Sequence, residues 1–274
     1  MSVTITAADI NKLRQTTGAG MMDCRKALTE SNGDFEAAID WLRKQGQKVA
    51  AKRSDREAKE GVVIAQTTAD HKSGIVLCIS CETDFVSKNA EFVAFAQSIA
   101  DAAIANNVKT AEELNAVSVN GSTVTELIND KLAAIGEKIA LTKFERIDAP
   151  YVASYIHGAN RMGVLVAMTK EAAEAGKDVA MQIAAMNPLA VDETSIAPET
   201  VAREKEIAIE QIKAEGKPAE MAEKIAMGKV NKFFKENTLL AQAFVKDNSK
   251  SVADYLKSVD GDLKVTDFKR VALG

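Results

Sequence analysis

A strand, strand, helix order occurs twice along this chain, and it restricts the fold more than any other feature of the sequence. In the first copy, the runs GVVIAQTT and SGIVLCISC are separated by the polar loop ADHK and followed by a long helical pattern; in the second, YVASYIHG, MGVLVAMT and KDVAMQIAAM follow in the same order. Two β-rich runs around a short polar loop predict an antiparallel hairpin. We therefore predict an α+β fold with two related antiparallel sheet-plus-helix halves, residues 61–148 and 149–274.

Two helical patterns lie outside this repeat. Residues 122–135 have apolar side chains on one helical face, and the β-like run KIALTKFERI follows them. Residues 198–236 carry two apolar stripes on either side of EGKP, which predicts a helical hairpin inserted in the second half. The stripes consist of Val201, Ala208 and Ile212, then Met221 and Ile225. A surface appendage and a short coiled coil both remain open for this hairpin, after which TLLAQAFV and LKVTDFKRVAL are again β-like.

Residues 1–46 predict a separate three-helix domain. Gly18 ends the first helix, the second lies near residues 20–30, and the third ends at Gly46. Residues 47–60 carry mixed charges without an apolar stripe, which indicates a solvated linker to the rest of the chain.

Two adjacent methionines in the second helix restrict its packing. We predict that Met21, Cys24 and Leu28 form the inward face of this helix. Neighbouring side chains on a helix point about 100° apart, so one small core cannot hold both Met21 and Met22, and one of them should be exposed. A lone surface methionine is one interpretation. An adaptable partner-binding surface beside Arg14 is the other.

The stretch CETDFVSKN, residues 81–89, places the apolar Phe85 beside the charged Asp84. It follows the run GIVLCIS and precedes a helical pattern, so we expect it on the connection between a strand and a helix. Such connections lie at the surface and often carry function. The stretch is therefore a candidate functional site.

Composition and motifs argue against several classes of protein. A net charge of −4 with a pI near 5.5 disfavours a broad nucleic-acid footprint, and no run approaches the roughly 18 apolar residues of a membrane helix. No glycine-rich phosphate loop follows a strand, so direct nucleotide binding is not expected. We predict a cytoplasmic protein that binds another protein and needs neither a cofactor nor a metal.

The few candidate catalytic side chains do not predict a reactive site. Cys78 and Cys81 have the C-x-x-C spacing of redox and zinc sites, but residues three apart on a strand face opposite sides of the sheet. His71 and His157 lie in different hairpins. A solvated loop position fits His71, whereas a structural hydrogen bond and a contact role both fit His157. We therefore do not expect an enzyme.

Three motifs together resemble the elongation factor Ts family, the bacterial guanine-nucleotide exchange factors for elongation factor Tu. They are KLRQTTGAGMMDCRKAL near the N-terminus, CETDFVSKN in the core and HGANRMGVLV in the second half. The resemblance implies that the three N-terminal helices form a domain of ubiquitin-associated type. It also implies a translation factor that binds elongation factor Tu, with GDP or without nucleotide, and promotes GDP release without bond chemistry.

The resemblance implies roles for particular residues as well. Arg14, Met21 and Met22 would contact the partner's nucleotide-binding domain. His157 would also face the partner, although HGANRMGVL is one residue longer than the family pattern. The part that would disturb the partner's magnesium site consists of Thr83, Asp84, Phe85 and Val86. We therefore expect Phe85 to be exposed, because its cavity would belong to the partner.

Two other classes of protein remain open. An adaptor of ubiquitin-associated type would bind through the N-terminal helices alone and would leave residues 81–89 without a role. A hydrolase or redox enzyme would use Cys81 or His157. The oligomeric state is also open, with a homodimer and a two-to-two complex as candidates.

Overall fold

Three helices begin the structure, which is a computed structural model. The parts of the chain that it describes are residues 4–53, 55–214 and 219–274, with the backbone alone at 50, 51, 213 and 219–222. The helices are α1 Ala7–Thr17, α2 Met21–Glu30 and α3 Phe35–Lys52. Their buried side chains are Leu13, Ala19, Cys24, Ala27, Leu28 and Ala38. The predicted three-helix unit is therefore confirmed.

The first half of the core is a three-stranded antiparallel sheet with helices on one face. In chain order its elements are β1 Glu60–Thr67, β2 Ser73–Cys81, α4 Asp84–Ser87, α5 Ala90–Ala105, α6 Ala111–Ala116, β3 Ser118–Val119, β4 Ser122–Thr123, α7 Val124–Ile135 and β5 Ala140–Asp148. The strand order is β1-β2-β5, so β2 is central and buried along its whole length. Side chains from the sheet, α5 and α7 form one buried cluster, which includes Leu77, Phe92, Ile99 and Ile128.

The second half repeats this arrangement. Its elements are β6 Tyr151–His157, β7 Met162–Met168, α8 Ala173–Met186, a 3₁₀ turn Glu193–Ser195, α9 Pro198–Ala214, α10 Ala219–Asn237, β8 Ala243–Phe244, β9 Asp247–Ser251, α11 Val252–Val259 and β10 Val265–Ala272. The strand order is β10-β7-β6, with β7 in the centre. A second buried cluster joins this sheet to α8 and α11 through Val166, Ile183, Val252 and Leu256.

The two halves share more of their element order than the sequence predicts. In each half a hairpin and a helix are followed by a two-stranded ribbon, a capped helix and a third strand antiparallel to the central one. The capped helices are α7, with a capping box from Thr123 and Glu126, and α11, with one from Ser251 and Asp254. The predicted pair of related halves is therefore confirmed, and the relation includes the ribbons and the capped helices.

The two sheets pack face to face. A third buried cluster lies between them, with members that include Val63, Val76, Cys78, Val152, Leu165 and Val271. Two glycines allow this close approach, because a Cβ atom at Gly74 would lie 2.9 Å from Val152 Cγ1 and one at Gly163 would lie 2.9 Å from Val76 Cγ2. The layers of the core are therefore helix, sheet, sheet and helix.

The third N-terminal helix is longer than predicted. We expected α3 to end at Gly46, but it continues to Lys52, so the predicted linker 47–60 begins with helix. Gly46 packs closely on α7, where a Cβ atom would lie 3.3 Å from Ala133 Cβ, and Val49 packs against the first-half cluster. The prediction was wrong because this packing extends the helix through a residue that commonly ends one.

The segment between the helical hairpin and β9 also differs from its prediction. TLLAQAFV reads as a strand, but only Ala243–Phe244 is one, as β8. Leu239 is buried in the second-half cluster from a turn and Phe244 from the two-residue strand β8, so the apolar character of this segment reflects packing rather than one long strand.

The predicted hairpin of residues 198–236 is confirmed as α9 and α10, which pack through Ala208, Ile212 and Ala226. The side chain of Met221 and the predicted break at residues 215–218 lie outside the described residues. Among the described helices, none is both long enough and apolar enough to cross a membrane.

Candidate functional site

The CETDFVSKN stretch forms a single helical turn, α4, between β2 and α5. Thr83 precedes the turn in an extended conformation. Phe85 is 85% exposed, more than any other large apolar side chain in the described part of the chain, whereas Val86 packs against the first-half cluster. Adjacent helical side chains point about 100° apart, so one turn can anchor Val86 and leave Phe85 in solvent. The expected exposure of Phe85 is confirmed, and residues 83–86 are named the TDFV turn.

The carboxylate of Asp84 lies at the surface of the TDFV turn. Its Oδ2 atom is 2.7 Å from the Nζ atom of Lys88, one helical turn further on. The hydrogen bond from Lys88, and then the charge of Lys88, hold the pKa of the Asp84 carboxyl below its ordinary value. Asp84 is therefore ionised at neutral pH, and its carboxylate is paired with Lys88 at the surface of the turn.

Glu137 holds the base of the TDFV turn. Its Oε2 atom accepts hydrogen bonds from the backbone N–H groups of Glu82, at 3.1 Å, and Thr83, at 3.0 Å. Its Oε1 atom accepts a third from the Thr83 hydroxyl at 2.6 Å. A carboxylate thus binds the backbone where β2 ends and the TDFV turn begins.

Glu82 makes the reciprocal contact. Its Oε1 atom accepts a hydrogen bond from the backbone N–H of Lys138 at 2.6 Å, and its Oε2 atom lies 3.1 Å from Nη1 of Arg56. The hydrogen bond from Lys138, followed by the contact with Arg56, lowers the pKa of the Glu82 carboxyl. Glu82 and Glu137 therefore cross-link the start of the TDFV turn to the residues before β5, and we name this pair the carboxylate clamp.

Sequence reasoning missed the carboxylate clamp. Glu137 is 54 residues beyond Thr83, so no local motif joins them. The available signal was the pairing of strands, because β5 lies antiparallel to β2 and Ala140 pairs with Ser80. Residues just before β5 must therefore lie next to residues just after β2.

A cleft of about 790 Å³ separates the three-helix unit from the first half of the core. Phe85 lies on its wall together with Trp41, Leu42, Phe92 and Phe95. Its charged lining residues include Asp23, Lys26, Arg43, Asp130 and Lys131. Burial raises the pKa of the Asp130 carboxyl, and the charge of Arg43 partly opposes this rise. Residues of the TDFV turn and of the N-terminal helices thus line the same cleft.

The three N-terminal residues that were predicted to contact a partner are all at the surface. Arg14 on α1 is exposed, and on α2 Met21 is 47% and Met22 73% exposed. Our placement of Met21 on the inward face was wrong, because Cys24 and Leu28 fill the space against Leu13 from the later turns of α2. Ala19 and Asp23, which flank the two methionines, line the cleft with Phe85.

His157 lies away from the cleft, at the exposed end of β6. Its Nδ1 atom is 2.9 Å from the hydroxyl of Tyr155. The turn after it has positive φ at Gly158, Ala159 and Asn160. Asn160 pairs with the backbone of Val63 in β1: its carbonyl accepts a hydrogen bond at 2.7 Å and its Nδ2 atom donates one at 3.1 Å. This longer turn therefore joins the second half to the first.

The two strand cysteines face opposite sides of the sheet, as predicted. Cys78 belongs to the cluster between the sheets and Cys81 to the first-half cluster. Burial, and then the charge of Glu137, raise the pKa of the Cys81 thiol to about 12, so it is protonated at neutral pH. Within the described residues, no three His, Cys, Asp or Glu side chains are grouped to hold a metal ion.

A two-sheet α+β core preceded by a three-helix unit defines the class of fold, and the anchored turn adds an exposed aromatic ring to it. The family described as Elongation factor TS matches residues 82–274. The chain is 50% identical to elongation factor Ts of Christiangramia forsetii, over 98% of this chain and 99% of the relative. It is 51% identical to that of Flavobacterium psychrophilum, over 99% of each chain. The chain therefore belongs to the elongation factor Ts family, whose members are translation elongation factors in protein biosynthesis.

Proposed function

We propose that the protein is a guanine-nucleotide exchange factor for elongation factor Tu. It binds the GDP form, disturbs the magnesium and phosphate site and promotes GDP release so that GTP can bind. The observation that carries the proposal is Phe85, a large apolar ring left 85% exposed on a turn that Glu137 and Val86 hold in place. Full burial of a Phe side chain contributes roughly 1.5 to 3 kcal/mol, and this free energy becomes available when a partner supplies the cavity.

The TDFV turn combines two effects on such a partner. Phe85 inserts between elements of the partner, and Asp84 carries its charge to polar groups near the magnesium ion. Loss of magnesium coordination leaves the charges of the nucleotide phosphates unbalanced, which weakens nucleotide binding. Coupling between two ligands is reciprocal, so bound nucleotide lowers the affinity of elongation factor Tu for the factor by the same ratio. GTP binding therefore releases the factor again.

The other candidate site residues, which lie outside the TDFV turn, hold the partner in place. Arg14, Met21 and Met22 contact the nucleotide-binding domain of elongation factor Tu, and His157 makes a separate contact from the second half. Met21 and Met22 support this assignment because adaptable apolar side chains exposed next to a cleft are suited to binding a protein surface. The factor acts in the cytoplasm and makes or breaks no covalent bond, in keeping with a Cys81 thiol that stays protonated.

A displacement assay tests this function. Elongation factor Tu is loaded with fluorescent GDP and mixed with excess unlabelled nucleotide, and release is followed with increasing amounts of the protein. We expect a release rate that rises and saturates with the concentration of factor. Release that stays at the spontaneous rate at all concentrations, with a protein that is folded, would refute the exchange function. Binding without acceleration would instead support an adaptor.

A further inference from the structure

The carboxylate clamp makes hydrogen bonds at the start of the TDFV turn, where the turn has little stabilisation of its own. The α4 helix has only four residues, and so short a helix is not stable on its own. Its N-cap residue, Thr83, makes no side-chain capping hydrogen bond to it. Glu137 provides acceptors for the N–H groups of Glu82 and Thr83, which immediately precede α4.

The hydrogen bonds of the clamp are of a strong kind. An ionised acceptor makes shorter and stronger hydrogen bonds than a neutral one, and one Glu137 carboxylate accepts three of them from two consecutive residues. Three bonds to two residues fix both position and direction of the backbone. Val86 fixes the opposite end by packing against the first-half cluster. The direction in which Phe85 leaves the surface is therefore set from both ends.

The clamp is also joined to the segment that follows the three-helix unit. Arg56 contacts the Glu82 carboxylate at 3.1 Å, and its carbonyl accepts a hydrogen bond from Nζ of Lys138 at 2.8 Å. The chain leading out of α3 therefore meets the residues that hold the TDFV turn.

We propose that Glu137 is a positioning residue for nucleotide exchange: its carboxylate orients the TDFV turn so that Phe85 enters the partner in the productive direction. The inference rests on the proposed exchange function. Glu137 acts through its hydrogen bonds to Glu82 and Thr83. It should therefore set the maximal release rate, whereas the concentration of factor needed for half-maximal release depends on the docking surfaces.

The main test is Glu137→Ala, with Glu145→Ala as the matched control because Glu145 is an exposed residue of β5 in the same sheet. We expect Glu137→Ala to lower the maximal release rate roughly ten- to hundredfold, since small misplacements of a positioned group cost rates of that order. The half-maximal concentration should change less than about threefold, because docking free energy is retained. Glu145→Ala should leave both quantities unchanged.

The conservative variant Glu137→Gln separates geometry from charge. A glutamine carbonyl can accept both backbone hydrogen bonds, and its amide can donate to the Thr83 hydroxyl oxygen. Glu137→Gln should therefore recover most of the rate that Glu137→Ala loses. Hydrogen exchange gives a second readout that needs no partner: the amides of Glu82 and Thr83 should lose protection in Glu137→Ala and keep it in Glu145→Ala.

The two proposals fail in different ways. A wild-type protein that does not accelerate GDP release refutes the exchange function, whatever the amide protection shows. A folded Glu137→Ala variant with the wild-type maximal rate overturns the positioning role while the exchange function stands. If Glu137→Ala does not fold, Glu137→Asp decides, because its side chain is one methylene shorter and cannot keep all three hydrogen bonds, so it should slow maximal release about fivefold. An unchanged rate in Glu137→Asp would then overturn the inference.

Discussion

The two halves of the core follow one plan and differ mainly in two of their connections. In the second half, four residues, 169–172, connect the central strand β7 to α8, whereas in the first half residues 82–89 connect β2 to α5 and include the TDFV turn. The second half instead carries α9 and α10 between its helix and its ribbon. The comparison shows that the shared elements form the scaffold and that the features unique to each half lie in the connections between these elements.

The equivalent connections are fixed in comparable places by different chemistry. In the second half, the backbone N–H of Thr169 donates to the carbonyl of Lys264 at 3.0 Å, and the N–H of Lys264 donates to the Thr169 hydroxyl at 3.0 Å. In the first half, carboxylates make the corresponding link between the end of the central strand and the start of the third. The longer connection thus has the stronger, charged attachment.

The largest expected effect comes from exchanging one exposed and one buried phenylalanine for alanine. Phe85→Ala should change folding stability by less than about 0.5 kcal/mol and slow GDP release roughly ten- to hundredfold at saturating factor. Phe92→Ala in α5, where the side chain is buried, should cost about 3–5 kcal/mol of unfolding free energy. Thermal melts and release rates of both variants check this. A Phe85→Ala protein with wild-type stability and rate would contradict the role of the TDFV turn.

The next largest effect is expected from the three-helix unit, and it should change the half-maximal factor concentration rather than the maximal release rate. Replacing Met21 and Met22 together by serine should raise the half-maximal factor concentration about tenfold, which corresponds to a loss of about 1.4 kcal/mol of binding free energy. The maximal release rate should stay the same, because the TDFV turn is intact. Met227→Ser is the matched control, since Met227 is similarly exposed on α10. A fall in the maximal rate with unchanged half-saturation would contradict the docking role.

Asp84→Ala should have a smaller effect in the same direction as Phe85→Ala. An exposed carboxylate acts through screened contacts, so maximal release should slow about two- to threefold. Lys88→Ala is informative beside it, because it removes the cation that contacts Asp84 and leaves the carboxylate in place. If Asp84→Ala slowed release more than Phe85→Ala, charge rather than ring insertion would be the main contribution of the TDFV turn.

The smallest effect is expected from the insertion in the second half. Replacing residues 198–236 by a short Gly/Ser linker should leave basal exchange within about twofold, because α9 and α10 pack mainly on each other through a small cluster of their own. Release rates of the replacement and the full chain are compared after both are shown to fold. Collapse of exchange in a folded replacement would assign a partner contact to the hairpin.

Much of the fold could be predicted because its signals are local. The β-rich runs, the helical periodicities and the opposite faces of Cys78 and Cys81 each follow from spacing over a few residues. The exposure of Phe85 followed from its place on a strand-to-helix connection together with the family resemblance. Its predicted role, like those of Arg14, Met21, Met22 and His157, stays a prediction.

The parts that could not be predicted depend on contacts between distant segments. Gly46 looks like a helix end until α7 packs on it, and Leu239 looks like part of a strand although a turn buries it. Glu137 was missed because a charged residue before a β-like run has no local signature. At Gly46 and Leu239, tertiary packing overrode the local preference, and at Glu137 a tertiary contact created a role that spacing does not indicate.

The close contact between the sheets has a mechanical consequence for the TDFV turn. A side chain that forces two elements of another protein apart experiences an equal reaction force, and any yielding of its support reduces the displacement that it produces. β2 carries that support, and behind it Gly74 and Gly163 bring the second sheet to a separation at which an added Cβ atom would lie 2.9 Å from a valine methyl group. Tightly packed interiors have low compressibility. Under the proposed exchange function, the second half of the molecule would therefore act as a stiff support for the sheet that carries the TDFV turn.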